Sequence, residues 1–352
     1  MIDKNIQIKN VYYMLAYAFT SLKRKQFEEI EKEDFDNIHD LFAVILAKGV
    51  AQQIKQGLYR EYITNYDELS TIRGKIDIRS SLKLKLKRKQ QLACEFDELS
   101  VNNIFNQVIK STMLLLLKID GVKTEHKKML RRLEIYFKEI DEINMFQIRW
   151  DMLKFQRNNQ TYKMLMNICY FVCQGLIYSE TSGNYRVESF LDSERMCSLY
   201  ERFVLEYYKH HYNGKIESNS SQIKWNYDES QSTSIEFLPK MQSDIMLRAN
   251  GKTLIIDAKY YSHTMQQGQF DKRTFHSHNM YQIFTYVKNY DKLGDGSVSG
   301  MLLYAKTDEL IQPDGEIMFA GNKISIKTLD LNISFTEIRS QLDQIIQTYF
   351  TL

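Results

Sequence analysis

Residues 243–259 read Ser243-Asp244-Ile245-Met246-Leu247-Arg248-Ala249-Asn250-Gly251-Lys252-Thr253-Leu254-Ile255-Ile256-Asp257-Ala258-Lys259, and they predict a β-hairpin with an acid in each strand. Asn250-Gly251 is the strongest short signal for a two-residue type I′ turn. With these two residues as the loop, Asp244 pairs directly with Asp257, and the two side chains share one face. Lys259 lies two residues beyond Asp257 and therefore points to the same face.

This hairpin predicts the chemistry of a metal-dependent phosphodiesterase. Carboxylates placed directly opposite repel each other, and a divalent cation would offset that cost. Mg²⁺, or Mn²⁺ in its place, would bind carboxylate oxygens, stabilise charge on a phosphate and lower the pKa of a bound water. Lys259 would orient that water or assist its deprotonation. An ordinary polar surface hairpin is the alternative, but the run 254–256 predicts a strand buried on both faces, where charges are rarely incidental.

The pattern of Asp244 followed by Asp257-x-Lys259 resembles the PD-(D/E)xK nuclease superfamily, with Ser243 where the superfamily has proline. Two flanking helices extend the resemblance. Residues 198–208 have helical apolar spacing, and the superfamily implies that this helix supplies a further acid.

Glu206 is the preferred residue for that role and Glu201 is the reserve, although each, taken alone, is an ordinary solvated helix residue. Downstream, Gln282 and Tyr286 lie four apart on a predicted helix and resemble the QxxxY motif, which helps to position metal-bound water or DNA. Taken alone, residues 279–287 would be interpreted as an amphipathic helix packing on a core.

Composition restricts which other functions and cofactors the chain could have. The net charge is only +3, so DNA binding must come from local patches. The four scattered cysteines indicate a reducing cytoplasm, and we expect no iron–sulfur cluster, because no cysteine follows Cys197. We expect neither a signal peptide nor a membrane span, since no apolar run approaches about 20 residues. Gly251-Lys252-Thr253 does not form a Walker A loop, because Met246 occupies the position of its first glycine.

The chain is predicted to divide near residue 160, after a polar, loop-like stretch. Residues 1–160 would form a mixed α+β domain and residues 161–352 an α/β domain. Within the first, residues 82–87 alternate leucine with lysine and are followed by Arg88 and Lys89, and the segment 82–89 predicts a strand with one basic face. The basic face would bind DNA phosphates or would belong to an edge strand that lysines protect from aggregation, and the two interpretations are equally favoured. Binding to a partner with an acidic surface is a third interpretation.

Resemblance to a family extends over nearly the whole chain. The residues that carry it are Ile8-Lys9-Asn10-Val11-Tyr12-Tyr13-Met14-Leu15-Ala16-Tyr17-Ala18, Lys48-Gly49-Val50, Gly57-Leu58 with Tyr62, Arg73-Gly74-Lys75-Ile76, Phe96-Asp97-Glu98-Leu99-Ser100 with Asn106, and the block 238–286. They resemble McrC, the family of nuclease subunits of McrBC modification-dependent (5-methylcytosine) restriction systems.

That resemblance implies an α/β fold class, with a C-terminal restriction-endonuclease-like PD-(D/E)xK domain whose central mixed sheet is flanked by helices. It also implies a partner, a McrB-like AAA+ GTPase hexamer, which the N-terminal region would bind and stimulate. The substrate would be double-stranded methylated DNA.

The resulting prediction is that Asp244 and Asp257 bind the metal, with the Ala258 carbonyl as a backbone ligand. Glu206 would complete the site directly or through water. Lys259 would serve the attacking water, assisted by Gln282, while Tyr260 and Tyr261 would either line the DNA groove or pack within the strand.

Two rival hypotheses belong to other classes. A RecB-like repair nuclease would share the QxxxY motif, but the N-terminal half does not resemble one. A non-catalytic activator of an AAA+ motor would need no acids, whereas Asp244, Asp257 and Lys259 are all present.

Overall fold

The computed structural model describes residues 6–19, 38–156, 159, 161–182, 194–267 and 273–351. The chain separates into two compact units. One is continuous, His39–Ile177, and is called here the inserted unit; the other combines Met1–Ile38 with Tyr178–Leu352 and is called the discontinuous unit. These units differ from the predicted division at residue 160, because the N-terminal helix packs with the C-terminal part of the chain.

The described residues form both helices and strands. The helices are α1 (Ile8–Phe19), α2 (Ile38–Gln56), α3 (Ile78–Leu86), α4 (Ile104–Lys118), α5 (Thr124–Glu134), α6 (Tyr162–Ser182), α7 (Glu194–His211), α8 (Ser277–Tyr290) and α9 (Phe335–Tyr349). The strands are β1 (Glu61–Leu69), β2 (Lys75–Ile76), β3 (Leu92–Ser100), β4 (Glu217–Asn219), β5 (Gln222–Ile223), β6 (Met241–Gln242), β7 (Ile245–Ala249), β8 (Lys252–Lys259), β9 (Gln266–Gln267), β10 (Arg273–Thr274), β11 (Val298–Ala305), β12 (Gly315–Phe319) and β13 (Asn322–Leu329). None of these helices has the length and apolar character needed to cross a membrane.

The inserted unit contains an antiparallel sheet in the order β1-β3-β2. Gly74 precedes β2 with a φ of +68°, and a Cβ atom there would lie 2.3 Å from the Glu95 carbonyl oxygen. Only glycine tolerates both the left-handed backbone and this close approach. The Arg73 guanidinium lies 4.1 Å from the centre of the Phe96 ring. The Arg73-Gly74 pair therefore attaches β2 closely to β3.

The basic segment 82–89 is not a strand, which corrects the sequence prediction. Residues 78–86 form α3, because the Asp77 side chain caps the helix by accepting hydrogen bonds from the Ser80 N–H and hydroxyl. Leu84 faces inward and Leu82 outward. Leucines at every second position satisfy a strand pattern, but two turns of helix also accommodate them once a strong cap begins the helix.

The discontinuous unit is built on a six-stranded mixed sheet in the order β12-β13-β11-β8-β7-β4. β8, β11 and β13 run parallel, while β12, β7 and β4 are antiparallel to their neighbours. Residues 254–256 of β8 are fully buried, which confirms the prediction of a strand covered on both faces. Ile283 and Val287 of α8 pack on the sheet beside Gly300, where a Cβ atom would lie 2.8 Å from Val287.

The helix α1 belongs to this unit through specific contacts. The Asn10 side-chain amide donates hydrogen bonds of 2.7 and 2.8 Å to the carbonyl oxygens of Leu331 and Ile333. The ring of Tyr13 stacks on that of Phe335 at the start of α9, with 4.0 Å between their centres. These contacts join the two ends of the chain across more than three hundred residues.

Candidate active site

The predicted hairpin is present with the predicted register. Ile245 pairs with Ile256 and Ala249 pairs with Lys252, so the positions immediately beyond the last pair, Asp244 and Asp257, stand opposite each other. Asn250 and Gly251 have φ values of 50° and 74°, as a type I′ turn requires.

Asp257 is the most unusual residue of the site. Its side chain is completely buried, and within the described residues neither carboxylate oxygen accepts a hydrogen bond of regular geometry. The Lys259 ammonium forms an ion pair with Oδ2 at 2.8 Å. A completely buried carboxylate that is compensated by one ammonium group is costly, and carboxylate oxygens are the ligands that a hard cation prefers.

Asp244 is held by the opposite strand. Its Oδ2 accepts a hydrogen bond of 2.9 Å from the Ala258 backbone N–H. Burial, followed by the negative charges of Asp257 and Glu201, raises the pKa of Asp244 to about 8 from its ordinary 3.8. Two acids that repel each other in this way create a site whose full ionisation needs added positive charge.

A hydrogen-bonded chain connects Lys259 to α8. The Lys259 ammonium donates to Gln282 Oε1 at 3.4 Å, and the Gln282 amide donates to the Tyr286 hydroxyl at 2.9 Å. Burial disfavours the charged ammonium, but the Asp257 and Asp244 carboxylates outweigh it and raise the pKa of Lys259. The QxxxY spacing thus brings both of its residues together, with Gln282 at the lysine and Tyr286 behind it.

Ser243, which stands where the resembling pattern has proline, is held by several hydrogen bonds. Its backbone N–H donates to the Ser221 carbonyl oxygen at 3.0 Å, and its hydroxyl exchanges hydrogen bonds with the backbone of the same residue. Proline has no N–H to donate. Serine therefore anchors the approach to Asp244 with bonds that proline could not make.

The two acids of α7 are placed differently, and their surroundings favour Glu201 over Glu206, the residue that the sequence prediction preferred. Glu206 forms an ion pair of 2.8 Å with Lys209 on its own helix. Glu201 is partly buried; burial raises its pKa, Lys259 opposes this rise, and Asp257 adds to it. Since the two acids are five residues apart, they lie about 140° from each other around the helix. Glu201 is thus the one in electrostatic contact with the acid pair.

The tyrosines that follow Lys259 have separate environments. Tyr260 is buried against Tyr200, with 5.9 Å between ring centres, which fits the packing interpretation. Tyr261 is half-buried and donates a hydrogen bond of 3.3 Å to Asn279, which in turn donates to the Tyr304 hydroxyl at 2.8 Å. Tyr304 is the register partner of Lys259 on β11, so this polar network adjoins the site.

The residues of the site fit a partly hydrated cation, bound by one or two carboxylates and several waters, better than a closed cage of protein ligands. Within the described part of the chain, no three His, Cys, Asp or Glu side chains gather as a complete ligand set. Mg²⁺ typically uses one or two carboxylates and keeps several waters. Two opposed carboxylates, one with uncompensated buried oxygens, match that requirement.

The fold and the site together define a mixed α/β protein whose central sheet carries an opposed pair of acids with a lysine. A family model described as McrBC 5-methylcytosine restriction system component matches residues 2–305. The chain belongs to this family, and the family prediction from the sequence is confirmed.

Individual relatives agree with that assignment. The chain is 27% identical over 345 residues to "Type IV methyl-directed restriction enzyme EcoKMcrBC" of Escherichia coli (strain K12), and the alignment covers 98% of each. It is also similar to a solved half-complex from a tetradecameric assembly of Thermococcus gammatolerans McrB AAA+ hexamers with bound McrC. That match covers 96% of this chain and 76% of the other, with a TM-score of 0.50 and 16% identity, and it supports the fold.

Proposed function

We propose that the chain is the DNA-cleaving subunit of a methylation-dependent restriction complex and that its discontinuous unit is a PD-(D/E)xK endonuclease. The observation that carries the proposal is the buried Asp257 carboxylate, which faces Asp244 and has Lys259 as its only close cation among the described residues. Such an arrangement is costly for a purely structural role. Membership of a restriction-system family supports a reaction on DNA.

In this proposal Asp244 and Asp257 hold Mg²⁺ or Mn²⁺, with the Ala258 carbonyl as a further ligand and Glu201 acting through water. When bound, the cation would stabilise charge on the scissile phosphate and lower the pKa of water. The chain's own residues prepare that site: the Ala258 N–H fixes one oxygen of Asp244, and the hairpin register fixes its distance from Asp257.

Lys259 would orient the attacking water as a cation. Its raised pKa keeps it protonated at neutral pH, so that it donates hydrogen bonds rather than accepting a proton. Gln282 holds the ammonium from one side and is itself held by Tyr286. Removal of the Gln282 side chain would keep the charge of Lys259 but would remove a hydrogen bond that fixes the orientation of its ammonium group.

We also propose a McrB-like AAA+ GTPase hexamer as the partner and double-stranded methylated DNA as the substrate. The support is the family membership and the fold shared with a McrC seen bound to McrB AAA+ hexamers. The partner-binding region would lie within residues 1–160 and, given the compact units, within the inserted unit. All four cysteines are free thiols, in keeping with a reducing cytoplasm.

The test is cleavage of a 5-methylcytosine-containing plasmid by the full-length chain with its purified partner, GTP and Mg²⁺. We expect cleavage that depends on methylation, is abolished by EDTA and is lost in Asp257→Asn. Stimulation of the partner's GTP hydrolysis should survive that substitution. Stimulation without any cleavage by the unsubstituted chain would favour the non-catalytic activator, and methylation-independent degradation from DNA ends would favour a repair nuclease.

A further inference from the structure

Two neighbouring residues of the central sheet each reach one residue of helix α8. Lys259 on β8 pairs with Tyr304 on β11, so the two side chains stand next to each other on one face of the sheet. The Lys259 ammonium donates to Gln282 Oε1, and the Tyr304 hydroxyl accepts a hydrogen bond of 2.8 Å from the Asn279 amide. Gln282 and Asn279 are three residues apart on α8 and are therefore also neighbours. The two hydrogen bonds form adjacent links between the sheet and the helix.

The Asn279 side chain is 2% exposed and uses both of its polar groups. Its Nδ2 donates to Tyr304, and its Oδ1 accepts a hydrogen bond of 3.3 Å from the Tyr261 hydroxyl. Tyr261 lies two residues beyond Lys259, and its ring centre is 6.1 Å from that of Tyr304. One amide group therefore joins α8 both to β11 and to the segment that follows β8.

These hydrogen bonds lie at the end of α8 that has no side-chain cap. His276 occupies the N-cap position but makes no capping hydrogen bond to the described residues that follow it. A capping side chain normally satisfies the first backbone N–H groups and helps to fix where a helix begins. Asn279 lies in the first turn, so its tertiary hydrogen bonds fix the start of α8 against the sheet instead. Burial raises the pKa of Tyr304 to about 12, so this link stays neutral.

We propose that Asn279 is a positioning residue that acts on Lys259 through Gln282. By joining the start of α8 to two tyrosines beside the sheet, it sets where the Gln282 side chain meets the ammonium group. The inference rests on the proposed nuclease function, in which Lys259 orients the attacking water. A misplacement of about 1 Å at a reacting group can cost about 100-fold in rate. The QxxxY spacing of this chain is thereby extended by one helical turn, to Asn279-x-x-Gln282-x-x-x-Tyr286.

The first measurement is cleavage of methylated DNA by the full chain with its partner at varied DNA concentration. Asn279→Leu keeps the approximate size of the side chain and removes both hydrogen bonds. It should lower kcat by about tenfold, the lower end of the range for a group that orients a functional residue. KM should stay within about twofold, because DNA binding is not altered. The partner's GTP hydrolysis, and the affinity of the full chain for Mn²⁺ in calorimetry, should be unchanged.

A general loss of structure would also lower cleavage, so the decisive readout is the coupling with Gln282. If Asn279 acts through Gln282, Asn279→Leu should lower kcat by less than about twofold in a Gln282→Leu background. Tyr290→Phe is the matched control, because it removes a hydrogen bond of 2.9 Å from Arg248 near the other end of α8, about 12 Å along the helix from Gln282. Its effect should be the same in both backgrounds, since distant sites add. Equal losses from Asn279→Leu in both backgrounds, or a loss confined to KM, would overturn the proposal.

Melting temperatures in EDTA separate this inference from the nuclease proposal. Tyr304→Phe and Gln282→Leu should each lower Tm, and the double variant should lose less than the sum, because both substitutions loosen the same end of α8. If the unsubstituted complex never cleaves DNA, the nuclease function is removed, and a loss of Tm smaller than the sum still supports the anchor at Asn279. Additive losses of Tm would overturn the anchor whether or not DNA is cleaved. Tyr304→Phe, which keeps the ring, replaces Asn279→Leu in the cleavage assay if the latter does not fold.

Discussion

The Ala258 backbone N–H donates a hydrogen bond of 2.9 Å to Asp244 Oδ2, and this bond ties the first acid to the strand that carries the second. The position of Asp244 is thus set by the sheet rather than by a loop. Asp257, in contrast, is completely buried, and its close partner is the Lys259 ammonium at 2.8 Å. One acid is therefore held by a backbone N–H and the other by a cation of the chain.

Asp257→Asn should lower DNA cleavage by about 100-fold or more, because a metal ligand contributes several kcal/mol to the transition state and 1.4 kcal/mol is a factor of ten. Thermal stability should change little, because the amide keeps the size of the side chain and removes the repulsion with Asp244, while the loss of the ion pair with Lys259 acts in the opposite direction. Plasmid cleavage and thermal melting measure the two effects. Asp314→Asn, which alters an exposed acid paired with Lys327, is the control and should retain cleavage.

Glu201→Gln should weaken cleavage by about 10–100-fold, the usual effect of losing a residue that supports a metal ligand. Glu206→Gln, on the same helix, should change it less than about threefold, because that carboxylate is paired with Lys209. Rates at saturating DNA compare the two variants directly. A larger loss of cleavage in Glu206→Gln than in Glu201→Gln would instead support Glu206, the acid that the sequence resemblance preferred.

The stability of the metal-free protein should fall as the pH rises from about 4 to about 8 through the contribution of Asp244. The folded state keeps the Asp244 proton in this range because the pKa of that carboxyl is raised to about 8, whereas the unfolded chain has lost it. Melting temperatures in EDTA should therefore decline less with pH in Asp244→Asn than in the unsubstituted chain.

Added Mg²⁺ should reverse the decline at pH 8, since a cation that binds only the folded, ionised site stabilises it. Asp244→Asn should show little of this rescue. Equal pH profiles for the two proteins in EDTA would contradict the proposed electrostatics of the acid pair.

Tyr13→Ala should destabilise the discontinuous unit by about 3–5 kcal/mol, the range for deleting a buried aromatic side chain. Tyr13 is 7% exposed and stacks on Phe335, so its loss opens a cavity between α1 and α9. Urea denaturation measures the change. Tyr281→Ala removes a tyrosine that is 70% exposed on α8 and should leave the unfolding midpoint nearly unchanged.

Some of these features could be predicted because they are local. The Asn250-Gly251 turn determines the register of the hairpin, and the register brings Asp244, Asp257 and Lys259 to one place. The four-residue spacing of Gln282 and Tyr286 likewise becomes a hydrogen bond once the helix forms. In each case a few neighbouring residues contain the whole geometric cause.

Other features depended on contacts between distant parts of the chain. The alternation in residues 82–89 suits both a strand and a helix, and the Asp77 cap together with burial of Leu84 selected the helix. The sequence of α7 does not show whether Glu201 or Glu206 faces the acid pair. Only the orientation of the helix against the sheet distinguishes the two glutamates.

The sequence by itself determined the family, the hairpin and the acid pair, because short segments of neighbouring residues are enough to define a motif and to fix the strand register. The tertiary structure decided which helix acid lies in electrostatic contact with the acid pair and where the compact units divide. Helix α1 packs on α9 although the two are more than three hundred residues apart. The burial of apolar surface does not depend on how far apart two residues are in the sequence. No local sequence pattern could therefore predict that contact.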